Sequence, residues 1–212
     1  MKNSIDFSLY LVTHRGSLPF DDLLRIILQS IEGGVKIVQL REKEITSDEM
    51  IALGKKLLSF LRPRGIPLII NDRIDVAYEI NADGVHLGQS DVNVDAARLI
   101  LGEQAIIGLS VETIDQWIDA EKQDVDYLAA SPVFFTKTKQ NCSTPWGLDG
   151  LKHLCSISHH PIIAIGGIDE TNVVQVTECG VAGVAVVSAI FNAPCPKTAA
   201  KAISNKLTRY AN

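Results

Sequence analysis

The chain has 212 residues, 46% of them apolar and 21% charged, and a net charge of −5. That length fits one compact domain or one α/β barrel and is ample to bury a core. The acidic balance argues against a nucleic-acid protein. No apolar run reaches the roughly 18 residues of a membrane span, and residues 1–10 lack the basic flank and apolar run of a secretion signal, so a cytoplasmic protein is expected.

Short β-rich runs alternate with longer amphipathic runs throughout. Residues 9–13 form the first predicted strand. Residues 21–31 carry Leu23, Leu24, Ile27, Leu28 and Ile31 at helical spacing, and Gly33-Gly34 ends that helix. Residues 36–40 form the second strand. Thr46 or Ser47 caps a helix running to about Leu61, stopped by Pro63 and Gly65. Strands are then predicted at 67–71, 83–87, 106–110, 126–130, 161–165 and 183–187. Helices are predicted near 75–80, 94–101, 113–122, 148–155, 171–179 and 197–210, and a long polar segment covers 131–145. Cys142, Cys155, Cys179 and Cys195 are widely spaced without a C-x-x-C pair. They read as idle thiols in a reducing compartment, not as a zinc or disulfide framework.

Alternation of this kind implies parallel strands joined by right-handed crossovers. The near-continuous apolar strands suit a sheet covered on both faces. About eight units predict a single (β/α)8 TIM barrel over residues 1–212. The competing open, doubly wound sheet would want a G-x-G-x-x-G turn after the first strand. Thr13-His14-Arg15-Gly16 does not supply one.

In such a barrel the site lies where strands end and βα loops begin. The second strand ends in Gln39, Leu40, Arg41, Glu42 and Lys43. Strand side chains alternate, so Gln39, Arg41 and Lys43 share one face, while Leu40, Glu42 and Glu44 take the other. An amide, a guanidinium and an ammonium in a row suit a pyrophosphate or another polyanion. The alternative is a strand end that has reached solvent. Asn71 and Asp72 end the third strand, and Gly88–Asp91 follows the fourth. Asp72 and Asp91 together would suit Mg²⁺ with phosphate oxygens and water, whereas either alone reads as a helix cap. Gly166-Gly167 and Val187-Ser188 end strands seven and eight, where a phosphate site is commonly built; a Gly-Gly pair is also an ordinary loop signal. Ser110 ends the fifth strand. The 131–145 loop is too long for a mere connector, and its Thr-x-Thr-Lys core, with Thr136, Thr138 and Lys139, offers two hydroxyls and a cation to a phosphate; the alternative is a solvated polar loop. His86 reads as a satisfied barrel residue, His159-His160 as surface, and Trp117 as packing. Trp146 suits either packing or lid closure.

Together these residues resemble the thiamine-phosphate synthase family. The matching pieces are Gln39-Leu-Arg-Glu-Lys43, Asn71-Asp72-Arg73, the stretch from Gly84 to Asp91, Gly108-Leu-Ser110, the stretch from Ser131 to Lys139, Ile165-Gly-Gly-Ile168 and Val186-Val-Ser-Ala189. They span nearly the whole chain in order. The resemblance implies a transferase that condenses hydroxymethylpyrimidine diphosphate with thiazole phosphate, or its carboxylated form, releasing pyrophosphate through a dissociative route. It implies that Gln39, Leu40, Arg41, Glu42, Lys43, Asn71, Ser110 and Lys139 hold the pyrimidine diphosphate. Arg41, Lys43, Ser110 and Lys139 would be the catalytic set, and Asp72 and Asp91 would hold Mg²⁺. Thr136, Lys137, Thr138, Gly167, Val187 and Ser188 would bind the thiazole phosphate. Partners would be these small molecules, with no nucleic acid or membrane and with homo-oligomerisation left open. The sister thiazole tautomerases share the barrel, but tend to carry histidine near Glu112 and to lack the diphosphate and metal set. A non-catalytic phosphate-binding regulator is the third reading. Phe135 stands where the synthase loop usually has proline.

Overall fold

The computed structural model describes residues 5–136 and 144–209. Lys137, Thr138, Lys139 and Cys142 lie outside the described residues. The chain runs β1 (Leu9–Val12), α1 (Phe20–Glu32), β2 (Ile37–Leu40), α2 (Ser47–Leu61), β3 (Leu68–Asn71), α3 (Ile74–Glu79), β4 (Gly84–Leu87) and α4 (Val94–Leu101). It continues through β5 (Ile106–Val111), α5 (Ile114–Ala120), β6 (Tyr127–Ala130), α6 (Gly147–Ile157), β7 (Ile162–Ile165), α7 (Val173–Thr177), β8 (Gly183–Val186), α8 (Ser188–Phe191) and α9 (Pro196–Arg209). All strand pairings are parallel, and β8 closes on β1 to make the (β/α)8 barrel.

Period-2 alternation divides the apolar residues into two shells. Tyr10, Val12, Ile37, Ile69, Ile106, Tyr127, Ala129, Ile163 and Ala185 fill the barrel interior. Leu9, Leu11, Val38, Leu40, Ile70, Val85, Ile107 and Leu128 face outward into the layer that the helices cover. The interior is crowded enough to dictate residue size: a Cβ at Gly108 would sit 2.0 Å from the Tyr127 ring.

Local chemistry explains the element ends. Thr46 caps α2 in a full capping box with Glu49, and Thr113 caps α5 through the Gln116 backbone N–H. The predicted 171–179 helix is shorter in the structure. Asp169 accepts from the Thr171 N–H and hydroxyl, and the Asn172 side chain accepts from Asp169 N–H, so side chains hold a turn where helix was expected. The four-residue α8 is too short to leave a periodic signal.

Candidate active site

The carboxyl ends of the strands open into one cavity of about 380 Å³. Gln39, Arg41 and Lys43 all line it, as their shared strand face requires. The intervening residues turn away. Leu40 is fully buried in the shell between strands and helices. Glu42 accepts the Thr13 hydroxyl at 2.8 Å and the Arg15 backbone N–H at 3.0 Å. The structure therefore brings Gln39, Arg41 and Lys43 to the cavity but neither Leu40 nor Glu42.

Asn71, Asp72 and Asp91 line the same mouth as the two cations. Asp72 adopts φ 63, a left-handed conformation that Asp tolerates better than most residues. Its N–H donates to His86 O at 2.9 Å, which ties the end of β3 to β4. Burial first, then the hydrogen-bonding and charge of Asp91, push the Asp72 carboxyl up to about 6, while Lys43 opposes the rise.

The capping alternative does not hold. Arg73 occupies the N-cap of α3 without a side-chain cap bond, and Asn93 caps α4. Asp91 instead accepts the Gly88 N–H at 2.7 Å. Two adjacent carboxylates, Asp72 and Asp91, form a donor set suited to a hard divalent cation. Among the described residues no group of three or more His, Cys, Asp or Glu gathers for a metal. Two carboxylates fit Mg²⁺, which commonly takes its remaining ligands from water and substrate phosphates.

Gly167, Val187, Ser188 and Thr136 line the opposite part of the mouth. Gly166 and Gly167 have φ 102 and φ 66. A Cβ on Gly167 would lie 2.7 Å from Phe135 O, and one on Gly166 would lie 2.6 Å from Pro132 Cβ. These glycines thus let the start of the β6–α6 segment rest on the end of β7. Trp146 is packed against the core and donates Nε1–H to Val111 O at 3.2 Å.

Gln89, in the loop after β4, and Glu112, just past Ser110, reach the cavity. Sequence reasoning missed Gln116, whose Oε1 accepts the Glu112 N–H at 2.7 Å. Gln116 sits inside a helix, where strand-end reading does not look. Tyr10 and Tyr127 form the floor, their hydroxyls 3.0 Å apart. His86 reaches Tyr127 OH through Nδ1 at 2.9 Å and Ser110 Oγ through Nε2 at 2.8 Å, so it is the satisfied barrel histidine that the sequence suggested.

A family model described as thiamine monophosphate synthase matches residues 9–190. A thiamine-phosphate synthase of Chlamydia caviae is 41% identical over 203 residues, covering 96% of each chain. One of Vibrio parahaemolyticus is 45% identical over 196 residues, covering 92% of this chain and 95% of the relative. Among solved structures, the thiamine phosphate pyrophosphorylase of Pyrococcus furiosus superposes with a TM-score of 0.88 at 32% identity, covering 98% of both chains. A 3-hexulose-6-phosphate synthase, 15% identical with a TM-score of 0.71, shares the fold.

Proposed function

This chain belongs to the thiamine monophosphate synthase family, and we propose that it joins hydroxymethylpyrimidine diphosphate to thiazole phosphate, or its carboxylated form, giving thiamine monophosphate and pyrophosphate. It is a transferase of thiamine biosynthesis. The observation that carries the reaction is the shared mouth. The cations Arg41 and Lys43 and the acids Asp72 and Asp91, from three separate strand ends, line one cavity.

In this reading Arg41 and Lys43 hold the diphosphate and stabilise the charge that grows on it as the C–O bond to the pyrimidine methylene breaks. Arg41 gives planar, directional donors and Lys43 a point charge. Asp72 and Asp91 would hold Mg²⁺, which neutralises diphosphate charge when bound. Gln39, Asn71 and Ser110 orient the pyrimidine at the floor. Thr136, Gly167, Val187 and Ser188 seat the thiazole phosphate across the cavity, so that the thiazole nitrogen faces the methylene as the leaving group departs. Lys137, Thr138 and Lys139 are assigned to the phosphates by family resemblance and, for Thr138 and Lys139, by the hydroxyl and cation they offer. A dissociative route needs no strong general base, and none is assigned. Neither the cavity lining nor the relatives favour the tautomerase reading: Glu112, not histidine, occupies the position concerned.

Pyrophosphate release tests the proposal. It should require both substrates and Mg²⁺ and should be matched by thiamine monophosphate formed. Turnover of an exocyclic thiazole without metal, or binding of both phosphates without turnover, would overturn it.

A further inference from the structure

Five side chains from five strands form a continuous chain of hydrogen bonds across the barrel floor. Gln39 Nε2 donates to Tyr10 OH at 3.0 Å, and Tyr10 OH meets Tyr127 OH at 3.0 Å. Tyr127 OH meets His86 Nδ1 at 2.9 Å, and His86 Nε2 meets Ser110 Oγ at 2.8 Å. Both phenols are almost fully buried, with Phe7 packed 5.1 Å from the Tyr127 ring. Burial holds both phenols above the ordinary tyrosine range, so each keeps its one proton.

A single proton per link gives the chain a direction. Tyr10 oxygen accepts from Gln39, so its own proton goes to Tyr127. Tyr127 oxygen has then accepted, so its proton goes to His86 Nδ1. A ring nitrogen that accepts carries no hydrogen, which places the imidazole proton on Nε2 and directs it to Ser110 Oγ. Ser110 lines the cavity and is left with its own hydroxyl proton to donate. The reverse direction would need the Gln39 carbonyl to face Tyr10, and would make Ser110 an acceptor.

We infer that the Gln39–Tyr10–Tyr127–His86–Ser110 chain fixes Ser110 as a hydrogen-bond donor to the cavity, so that this part of the site selects a ligand with an acceptor there, such as an unprotonated aromatic ring nitrogen, over one presenting N–H or C–H. Tyr127 and His86 are positioning residues that act through Ser110. The inference deepens the proposed reaction and rests on it for the ligand, a pyrimidine, but the direction of the chain can be measured without turnover.

The first test is ¹⁵N NMR of the ring nitrogens of the full-length protein, with the His86 signals assigned by their loss in His86→Gln. The expected result is a single Nε2–H tautomer with Nδ1 unprotonated. A proton on Nδ1 overturns the inference. In Tyr127→Phe, His86 should lose its single tautomer, and KM for the pyrimidine diphosphate should rise roughly tenfold, the scale of one oriented hydrogen bond, with KM for thiazole phosphate unchanged. An unaltered tautomer, or an equal rise in both KM values, overturns it. Tyr10→Phe removes the bond that commits the Tyr127 proton to His86, so a mixed tautomer should appear there too; an unchanged single tautomer would take Gln39 and Tyr10 out of the chain that sets the direction and so overturn the inference. Failure of wild-type turnover with the Nε2–H tautomer intact would remove the proposed reaction and leave the chain's direction standing.

Discussion

The Thr13 hydroxyl donates to Glu42 Oε1 at 2.8 Å while its oxygen accepts the Arg41 backbone N–H at 3.0 Å. Thr13 is fully buried, and Glu42 also takes the Arg15 N–H, so the first and second βα loops are fastened to each other. Glu42, turned from the cavity, is placed to hold the backbone that aims Arg41 and Lys43 inward.

Thr13→Val keeps the shape but removes both bonds. A buried N–H and a carboxylate then lose a partner each, at a cost of about 1–3 kcal/mol. Thermal unfolding should show the loss of stability. The KM for the pyrimidine diphosphate should rise more than that for thiazole phosphate; equal effects on both substrates would count against this role of the clasp.

Asp72→Asn is the cleaner probe of the metal, because Asn tolerates the left-handed backbone at φ 63 whereas Ala is strained there. Turnover should fall roughly a hundredfold or more, with circular dichroism unchanged. Chelation should silence the wild-type enzyme, and added Mg²⁺ should restore it. Full activity of the variant in a chelator would remove the metal from the proposal.

Gly167→Ala should combine backbone strain at φ 66 with a collision against Phe135 O and Phe134. About 1–3 kcal/mol of stability should be lost. Displacement of the segment that carries Thr136 should raise KM for thiazole phosphate, read by varying that substrate alone.

Leu40→Ala should behave in the opposite way. The side chain is fully buried in the outer shell, so truncation should cost about 2–5 kcal/mol. Below the lowered melting temperature, both KM values should stay near wild type. A specific loss of pyrimidine diphosphate affinity would restore Leu40 to the binding set that the family resemblance implies.

Glu121 supplies a pH dependence away from the site. Burial opposes its ionisation, but the Ser158 hydroxyl and the His159 backbone and ring outweigh burial and hold the carboxyl below its ordinary 4.5. A depressed folded value gives stability that is present above the unfolded value and lost as pH falls through the folded one. Glu121→Gln should therefore be less stable than wild type near neutrality, and the gap should close in acid. Urea unfolding at about pH 7 and about pH 3.5 would measure this, and a constant gap would refute it.

Much of this was legible in the linear chain. Alternation of buried runs with amphipathic ones follows from the local periods of strand and helix, and eight such units announced the barrel. The same period placed Gln39, Arg41 and Lys43 on one face before any coordinates, and strand ends led to Asn71, Asp72, Asp91, Ser110 and Gly167, all of which line the cavity. The Asp72 capping alternative stayed open because a side chain at a helix start reads the same whether it faces the helix or the barrel. Only the structure showed a different residue at the α3 N-cap.

What no local pattern could supply was the meeting of side chains distant in the chain. Tyr10 and Tyr127 lie on separate strands, yet they touch across 117 positions because the barrel closes and tilts them into one layer. The resemblance put Glu42 among the diphosphate ligands, whereas closure of the barrel sets two loops side by side and gives its carboxylate to Thr13. Periodicity specifies which way a residue points, since it depends on neighbours one or two positions away. Which residue it meets depends on the stagger of the whole sheet, and that is decided only when the eighth strand pairs with the first.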